Sequence, residues 1–365
     1  MMHLDWLSTA VIAGLQSDIP TVITLLLCLC AIAYYGVALL AAANFFEQPE
    51  RSPSGFCPPV SILKPVCGLD RGIYENLASF CQQDYPRYQV IFGIQSAQDP
   101  CIEVVQQLMQ DFPDIDMQLV ISDQTIGINR KVSNLANAAV EAKYDILLLA
   151  DSDIRVGPDY LQRVIQPFQT RSVGIVTCLY RSLTYTWLAA LEALSLPTEF
   201  LPRILAAKRL QGMVFAIGAT IAIRRSVLER IGGFSTLANY LEDDYQLGNR
   251  AVQAGYQIVL SNYVVDHVMT TENWQDFLHH QLRWFRGDRF ARPLGYCSLI
   301  VTYGTVSSVL FLLTTGGSLI SWVVLAVTWG MRLLLAWFVG AYHLRDPLAR
   351  RFLWLVPLRD CISFA

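Results

Sequence analysis

Asp151-Ser152-Asp153 places two carboxylates one residue apart, directly after the apolar run Ile146-Leu147-Leu148-Leu149-Ala150. Such a pair suits a divalent cation shared with a substrate phosphate, because Mg²⁺ takes one or two protein carboxylates and draws its other oxygens from water and phosphate. The alternative is structural: either Asp caps the next helix or shapes the turn at Val156-Gly157-Pro158-Asp159. A second acidic group, Glu242-Asp243-Asp244, sets three like charges side by side. Their repulsion raises the pKa of at least one, which makes a carboxylate useful as a general base. The same three acids also read as a first helical turn favoured by the helix dipole, and both readings can hold at once.

Three further groups complete the candidates. Gly127-Ile128-Asn129-Arg130-Lys131 is a Gly-and-Asn turn carrying two cations at a helix start, where backbone N–H groups favour phosphate; an exposed basic turn is the other reading. Asp99, in Gln95-Ser96-Ala97-Gln98-Asp99-Pro100, follows a strand, precedes a helix, and reads either as a ligand-loop acid or as an acid favoured at the helix start. In His279-His280-Gln281-Leu282-Arg283-Trp284 the spacing puts His280 and Arg283 on one helix face, where a cation and an indole can clamp a pyrophosphate or an acceptor. A positively charged membrane anchor with an interfacial Trp is the alternative.

The elements that must position these groups alternate. Strands are predicted at Val60-Ser61-Ile62-Leu63, stopped by Lys64-Pro65, at Tyr88 to Gln95, and at Met117 to Ile121. Helices are predicted over Ile73 to Gln82, Cys101 to Phe112 and Lys131 to Ala142. Residues 145 to 150 are too few for a surface helix and too uniformly apolar for a half-exposed strand, so they predict a central parallel strand covered on both faces. This rhythm specifies a parallel α/β sheet, whose ligands sit beyond the strand ends. Further on, Tyr160 to Phe168 is a predicted helix, and Ser172 to Leu179 and Phe215 to Ile223 are predicted strands, with Gly218 permitting close backbone approach.

Composition sets the surroundings. Hydrophobic residues make up 53% and charged ones 16%, too apolar for an ordinary soluble enzyme. Ile19 to Phe46 carries no charge and is long enough to cross a bilayer; acidic Asp5 and Asp18 before it argue against a cleaved signal peptide. A second apolar region runs from Leu294 to Tyr342, interrupted by Arg332, with a break expected near Gly316-Gly317 or Ser321, and a further apolar stretch follows Arg351. Arg332 is costly there unless it snorkels or faces protein. Arginines on both flanks, Arg283, Arg286, Arg289 and Arg292 before and Arg345, Arg350 and Arg351 after, place the flanks in the cytoplasm.

The expected organisation is an N-terminal transmembrane helix within 1–48, a cytoplasmic domain over 49–293 that begins with a linker from Glu47 to Pro59, and a membrane region of about two helices over 294–365. Residues 187–205, apolar but broken by Glu192, Pro197, Glu199 and Pro202, read as an interfacial segment or as buried core. The nine cysteines show neither zinc nor disulfide spacing. A net charge of −3 gives no reason to expect nucleic acid.

Taken in order, the loop Asp, the Gly-Ile-Asn turn with Lys131 and Asn134-Leu135, Lys143-Tyr144-Asp145 leading to Asp151-Ser152-Asp153-Ile154-Arg155-Val156, the acid cluster and the Arg-Trp box resemble the membrane glycosyltransferases of the ceramide glucosyltransferase family. The resemblance covers Val60 to Arg292. Asn76-Leu77-Ala78-Ser79-Phe80 and Thr177-Cys178-Leu179-Tyr180-Arg181 are similar to a bacterial branch associated with hopanoid glycosylation.

The resemblance implies a GT-A-type α/β domain with a mostly parallel sheet between transmembrane helices, and inverting transfer of one sugar, glucose or N-acetylglucosamine, from a UDP-sugar to the hydroxyl of a ceramide- or hopanoid-type lipid at the cytoplasmic face of a bacterial inner membrane. By position, Asp99 matches the family's first aspartate, near the nucleotide, and Lys131 would meet phosphate or uridine. Asp151 and Asp153 would hold Mg²⁺ or Mn²⁺ and the nucleotide, Asp244 would be the base, and Asp243, His280, Arg283 and Trp284 would serve pyrophosphate or acceptor. The family's usual Gln or Arg at the first position of the box is His280 here, which would make that contact pH-sensitive. A polysaccharide synthase, a transporter and a non-catalytic sugar-nucleotide sensor are the competing functions.

Overall fold

The computed structural model describes residues 19–48, 55–269, 271 and 273–364; the expectations resting on Asp5, Asp18, residues 49–54 of the linker and Ala365 lie outside the described residues. The chain divides into two compact units, one of Gln48–Ala189 with Gln211–Leu278, the other of the chain up to Glu47, Ala190–Leu210 and His279 onward.

The first unit is built on one sheet of eight strands: β1 (Val60–Val66), β2 (Tyr88–Ile94), β3 (Asp116–Ile121), β4 (Ile146–Ala150), β5 (Ile154–Arg155), β6 (Val173–Thr184), β7 (Thr220–Arg224) and β8 (Gln257–Met269). Their spatial order is β3-β2-β1-β4-β7-β6-β8-β5. The first four are parallel, as are β6 and β8, while β7 and β5 run antiparallel to their neighbours. Every position of β4 is buried. Ile146, Leu148 and Ala150 enter the core on one face and Leu147 and Leu149 the core on the other, which is why the strand is uniformly apolar. The helices Ile73–Cys81 and Cys101–Asp111 cover the first face through Leu77, Phe80, Val105 and Leu108, and the helix Arg130–Ala139 covers the second through Val132, Leu135 and Ala138.

Two strand boundaries differ from expectation. Lys64-Pro65 does not stop β1, which continues to Val66. Beyond Leu63 the strand pairs with β2 alone, so the missing N–H of Pro65 falls where no ladder partner on the β4 side is lost. Over Phe215 to Ile223 only Thr220 onward is strand. Residues before it take an irregular path, tied down by Thr177, whose hydroxyl donates to the Ile217 carbonyl (2.9 Å) and accepts from the Ile217 N–H (3.0 Å).

Among the described residues of the second unit two helical stretches are long and apolar enough to cross a membrane, Ile19–Phe46 and Leu319–His343, and a third candidate is the pair Gly295–Thr302 and Gly304–Thr314, bent by 57°. The expected break falls at Gly316 and Gly317, both with positive φ (61° and 80°), a conformation in which glycine has no Cβ to clash. Arg332 faces protein and is 3% exposed. It donates to both carboxylate oxygens of Asp360 (3.0 and 2.7 Å) and to the Thr198 carbonyl (2.7 Å). The segment Ala190–Leu210 belongs to this unit, and within it Glu192 is fully buried.

Candidate active site

The Asp-x-Asp turn leaves the end of β4 and is pinned through its backbone. Asp151 N–H donates to the Ala219 carbonyl (3.3 Å), Ile154 N–H to the Asp151 carbonyl (3.3 Å), and Val268 N–H, from β8, to the Asp153 carbonyl (2.9 Å). A fourth tie comes from beneath, where the Lys64 Nζ donates to the Asp151 carbonyl at 2.5 Å and lies 3.9 Å from the centroid of the Phe80 ring. Lys64 is fully buried. Burial draws its ammonium down to about 7, against the pull of Asp153 and Asp151.

The two carboxylates have different partners. Asp151 Oδ1 pairs with Lys131 Nζ at 2.6 Å, while Asp153 Oδ2 meets His267 Nε2 at 3.2 Å. Burial alone would raise Asp153, yet His267, with Lys64 and Lys131 behind it, holds the carboxyl below the usual range. Lys131 shows the mirror case: burial would lower it, but Asp151 and Asp243 hold it above the ordinary lysine value.

Lys131 is delivered by the start of the helix Arg130–Ala139, which Asn129 caps by accepting from the Val132 N–H (3.2 Å). The Gly127-Ile128-Asn129 turn also docks on the segment leading to the acid cluster. Asn129 N–H donates to the Ala238 carbonyl (2.8 Å), Ile128 N–H to Asn239 Oδ1 (3.2 Å) and Asn129 Nδ2 to the Tyr240 carbonyl (2.8 Å). Glycine is required at 127 because a Cβ there would lie 2.5 Å from the Ala238 carbonyl oxygen.

Glu242 precedes, and Asp243 and Asp244 open, the helix Asp243–Gln253. Asp244 Oδ1 accepts its own helix's Tyr245 N–H at 2.7 Å, and Oδ2 rests against Gly218, where a Cβ would come within 2.9 Å. The close approach expected at Gly218 is therefore to this carboxylate. Burial first, then the charges of Asp243 and Glu242, push Asp244 up to about 7. Lys131, Asp151, Gly218, Asp243, Phe234 and Leu247 line one narrow cleft.

The structure thus brings Lys131, Asp151, Asp153, Asp243 and Asp244 into one neighbourhood. Asp99 sits elsewhere on the sheet's edge of loops: its carboxylate accepts from the Gly68 N–H (3.1 and 3.0 Å) and from the Cys101 N–H (2.9 Å), so it clamps the loop after β1 to the start of the next helix. His280, Arg283 and Trp284 lie on the helix Trp274–Ala291, in the part that belongs to the second unit. There His280 Nδ1 meets the buried Glu192 Oε1 at 3.2 Å and the Trp284 ring lies 6.4 Å from the imidazole, while Arg283 and Trp284 are exposed.

Two residues of the site escaped the sequence reading. Lys64 was legible only as a strand breaker beside Pro65, and His267 sits in β8, a strand no expectation covered although Tyr263 and Val265 alternate in burial with their neighbours. Asp151, Asp153 and His267 suit a hard or borderline divalent cation by donor type. Asp153 Oδ1, buried and without a hydrogen-bond partner, supplies the orphaned acceptor that a cation would satisfy. Among the described residues no three such side chains converge as a ready metal cluster, and Lys131 stands on the Asp151 oxygen.

A mostly parallel sheet whose central strand ends in Asp-x-Asp, beside a half-buried helix-start acid, is the GT-A-type glycosyltransferase fold. A mannosyltransferase from Pyrobaculum calidifontis, solved in complex with GDP-Man and Mn2+, shares it with a TM-score of 0.58 and 18% identity over 95% of this chain and 98% of that chain. Residues 23–365 match Glycosyl transferase family 21, and the chain belongs to that family. Ceramide glucosyltransferase 3 of Caenorhabditis elegans is 28% identical over 276 residues, 74% of this chain and 60% of the relative. The ceramide glucosyltransferase of Komagataella phaffii is 34% identical over 152 residues, 38% of this chain and 30% of the relative. The chain spans about 60% of the length of the first of these relatives.

Proposed function

We propose that the chain is an inverting glycosyltransferase that moves one sugar from a UDP-sugar to the hydroxyl of a membrane lipid of ceramide or hopanoid type, with residues 49–293 acting at the cytoplasmic face. The observation that carries this reading is the divergence of two acids around Lys131, Asp244 pushed up to about 7 and Asp153 held below the usual carboxylate range. Environments that separate the protonation of neighbouring carboxylates mark one for proton transfer and the other for holding positive charge.

In this reading Asp244 accepts the proton of the acceptor hydroxyl as its oxygen attacks the anomeric carbon, and the bond to UDP breaks on the opposite face. Lys131 moves its positive charge to the departing diphosphate, whose negative charge grows along the reaction coordinate. Asp151 and Asp153, with His267 beside them, would hold Mg²⁺ or Mn²⁺. When bound, that ion supplies charge neutralisation at the diphosphate. Asp99 shapes the loop near the nucleotide, and Asp243, His280, Arg283 and Trp284 serve pyrophosphate or acceptor. Two apolar helices long enough to span a bilayer, together with ceramide glucosyltransferases as relatives, support a lipid as the acceptor.

The test is full-length protein in nanodiscs with Mn²⁺, a panel of UDP-sugars and a mixed lipid extract, read by mass spectrometry of the lipids. One hexose or N-acetylhexosamine added to one lipid class is expected, with Asp244→Asn slowing transfer by about 10²–10⁴ while UDP binding persists. Undiminished transfer by Asp244→Asn would overturn the assignment of the base, and a polymeric product would overturn single transfer.

A further inference from the structure

Two lysines reach Asp151, and they hold different parts of it. Lys131 Nζ contacts the side-chain Oδ1 at 2.6 Å, and both side chains are 33% exposed at the cleft. Lys64 Nζ contacts the backbone carbonyl at 2.5 Å from a fully buried position, packed on the Phe80 ring and shielded from anything entering the cleft. The two strands or helices that carry them differ as well. Lys64 extends from the middle of β1, whose backbone is fixed by pairing with β2 through Val66. Lys131 extends from the first turn of a helix, next to the docked Gly127-Ile128-Asn129 turn.

We propose that the two lysines divide the work at Asp151: Lys64 is a permanent positioning residue that fixes the backbone of the Asp-x-Asp turn, and Lys131 is an exchangeable cover on its carboxylate, which must leave before a divalent cation can use that oxygen and which then turns to the diphosphate. The proposal rests on the reading of Asp151 and Asp153 as cation ligands.

The geometry gives each role a reason. A carboxylate oxygen that already accepts a 2.6 Å charge-assisted contact cannot offer the same lone pairs to a cation, so the Lys131 contact competes with metal. The Lys64 contact takes no carboxylate oxygen. Lys64 Nζ donates to the backbone carbonyl, and together with the backbone bonds to Ala219, Ile154 and Val268 it fixes the turn that carries the two acids. Groups that orient metal ligands in this way commonly govern about 10–100-fold of metal affinity. Exchange at Lys131 also orders binding: the ammonium has somewhere to go only when a diphosphate is present, so metal and nucleotide reinforce each other's binding through one side chain.

The two roles make predictions of opposite sign. Mn²⁺ binding to the full-length protein in detergent, without nucleotide, is measured by electron paramagnetic resonance of free Mn²⁺ for the wild type, Lys131→Met and Lys64→Met. Lys131→Met is expected to bind Mn²⁺ on the order of tenfold more tightly and to lose the strengthening that UDP gives to the wild type; Lys64→Met is expected to bind it about 10–100-fold more weakly while keeping that strengthening. A structural defect at either site would lower binding in both variants and would not separate the two signs. Should Lys64→Met fail to fold, Lys131→Met decides alone, since weaker or unchanged Mn²⁺ binding in that variant overturns the proposal. Wild-type protein that binds no Mn²⁺ with or without UDP would overturn the cation reading and the proposal together, whereas wild-type binding with both variants shifted the same way overturns the proposal only.

Discussion

Lys131–Asp151 and Arg332–Asp360 are ion pairs of nearly equal length, 2.6 and 2.7 Å, set in opposite surroundings. Both partners of the first are one-third exposed, while both of the second are 3% exposed in side-chain terms. The Arg332 guanidinium spends its other donor on the Thr198 carbonyl, and Asp360 also accepts the Thr305 hydroxyl at 2.6 Å. Both charges are held within the apolar unit, so neither can be released without stranding the other. At the sheet, Asp151 has one side-chain partner, and Lys131 is surrounded by Asp151, Asp243 and Asp244. Its charge can be redirected at small cost because water reaches the pair. Equal distances thus describe one pair that is structural and one that can open.

The largest effect should come from breaking the closed pair. Arg332→Met leaves the Asp360 carboxylate buried without its cation, which costs about 3–5 kcal/mol, whereas Arg332→Met combined with Asp360→Leu should recover most of that loss because paired removal strands nothing. Thermal unfolding in detergent would show the single variant melting far below the wild type and the double variant close to it. Equal losses in both would mean that Thr198 and Thr305, not the ion pair, hold this region. At the open pair's neighbour the expected effect is functional: Asp153→Ala should remove the metal-dependent part of UDP binding, measured by titration calorimetry with and without Mn²⁺, and leave the fold intact. Metal-dependent affinity that survives the change would move the cation site away from this turn.

A subtler effect distinguishes Asp244 from both pairs, since among the described residues it forms no ion pair of its own. With its folded-state value raised to about 7, kcat/KM should climb with pH and level off above that value, as the carboxylate becomes able to accept a proton. Stability runs the other way. A carboxyl whose pKa is raised on folding holds its proton more tightly in the folded state, so its contribution is fully present below the unfolded value near 3.8 and is lost as pH rises through about 7. Asp244→Asn, which cannot ionise, should therefore melt a few degrees above the wild type at pH 8 and lose that advantage toward pH 4. A pH-independent difference would mean that packing against Gly218, and not charge, sets the stability of this residue.

The sequence carried much of this because the decisive patterns were local. A five-residue apolar run with acids at its end specifies a doubly covered strand and what it delivers, and β4 with Asp151 and Asp153 follows directly. Gly316-Gly317 broke the apolar region where expected. What stayed hidden was contact between distant segments. Lys64 beside Pro65 reads as a strand terminator, and only the three-dimensional arrangement shows that β1 continues past it because its β4 partner has already ended. His267 is one residue in a long strand, and nothing in its neighbours announces that Asp153, more than 100 residues earlier, lies 3.2 Å away. The Gly127-Ile128-Asn129 turn reads either as a phosphate-favouring turn or as an exposed basic one, and its backbone proves to be occupied in part by the segment that carries Ala238 to Tyr240.

The smallest effect marks the lower bound of the comparison. Lys143 Nζ meets both oxygens of Asp116, at 2.9 and 2.7 Å, the shorter within about 0.1 Å of both pairs above. The side chains are 46% and 38% exposed, and no third group is fixed by them. Salt and water screen such a pair, and the entropy of holding two long side chains offsets most of what attraction remains. Lys143→Ala should then leave both the unfolding midpoint and the Mn²⁺ affinity where they are, at low and at high salt. If it lowered the unfolding midpoint in a salt-dependent way, length would matter more than surroundings, and the contrast between Arg332–Asp360 and Lys131–Asp151 would need another cause than burial.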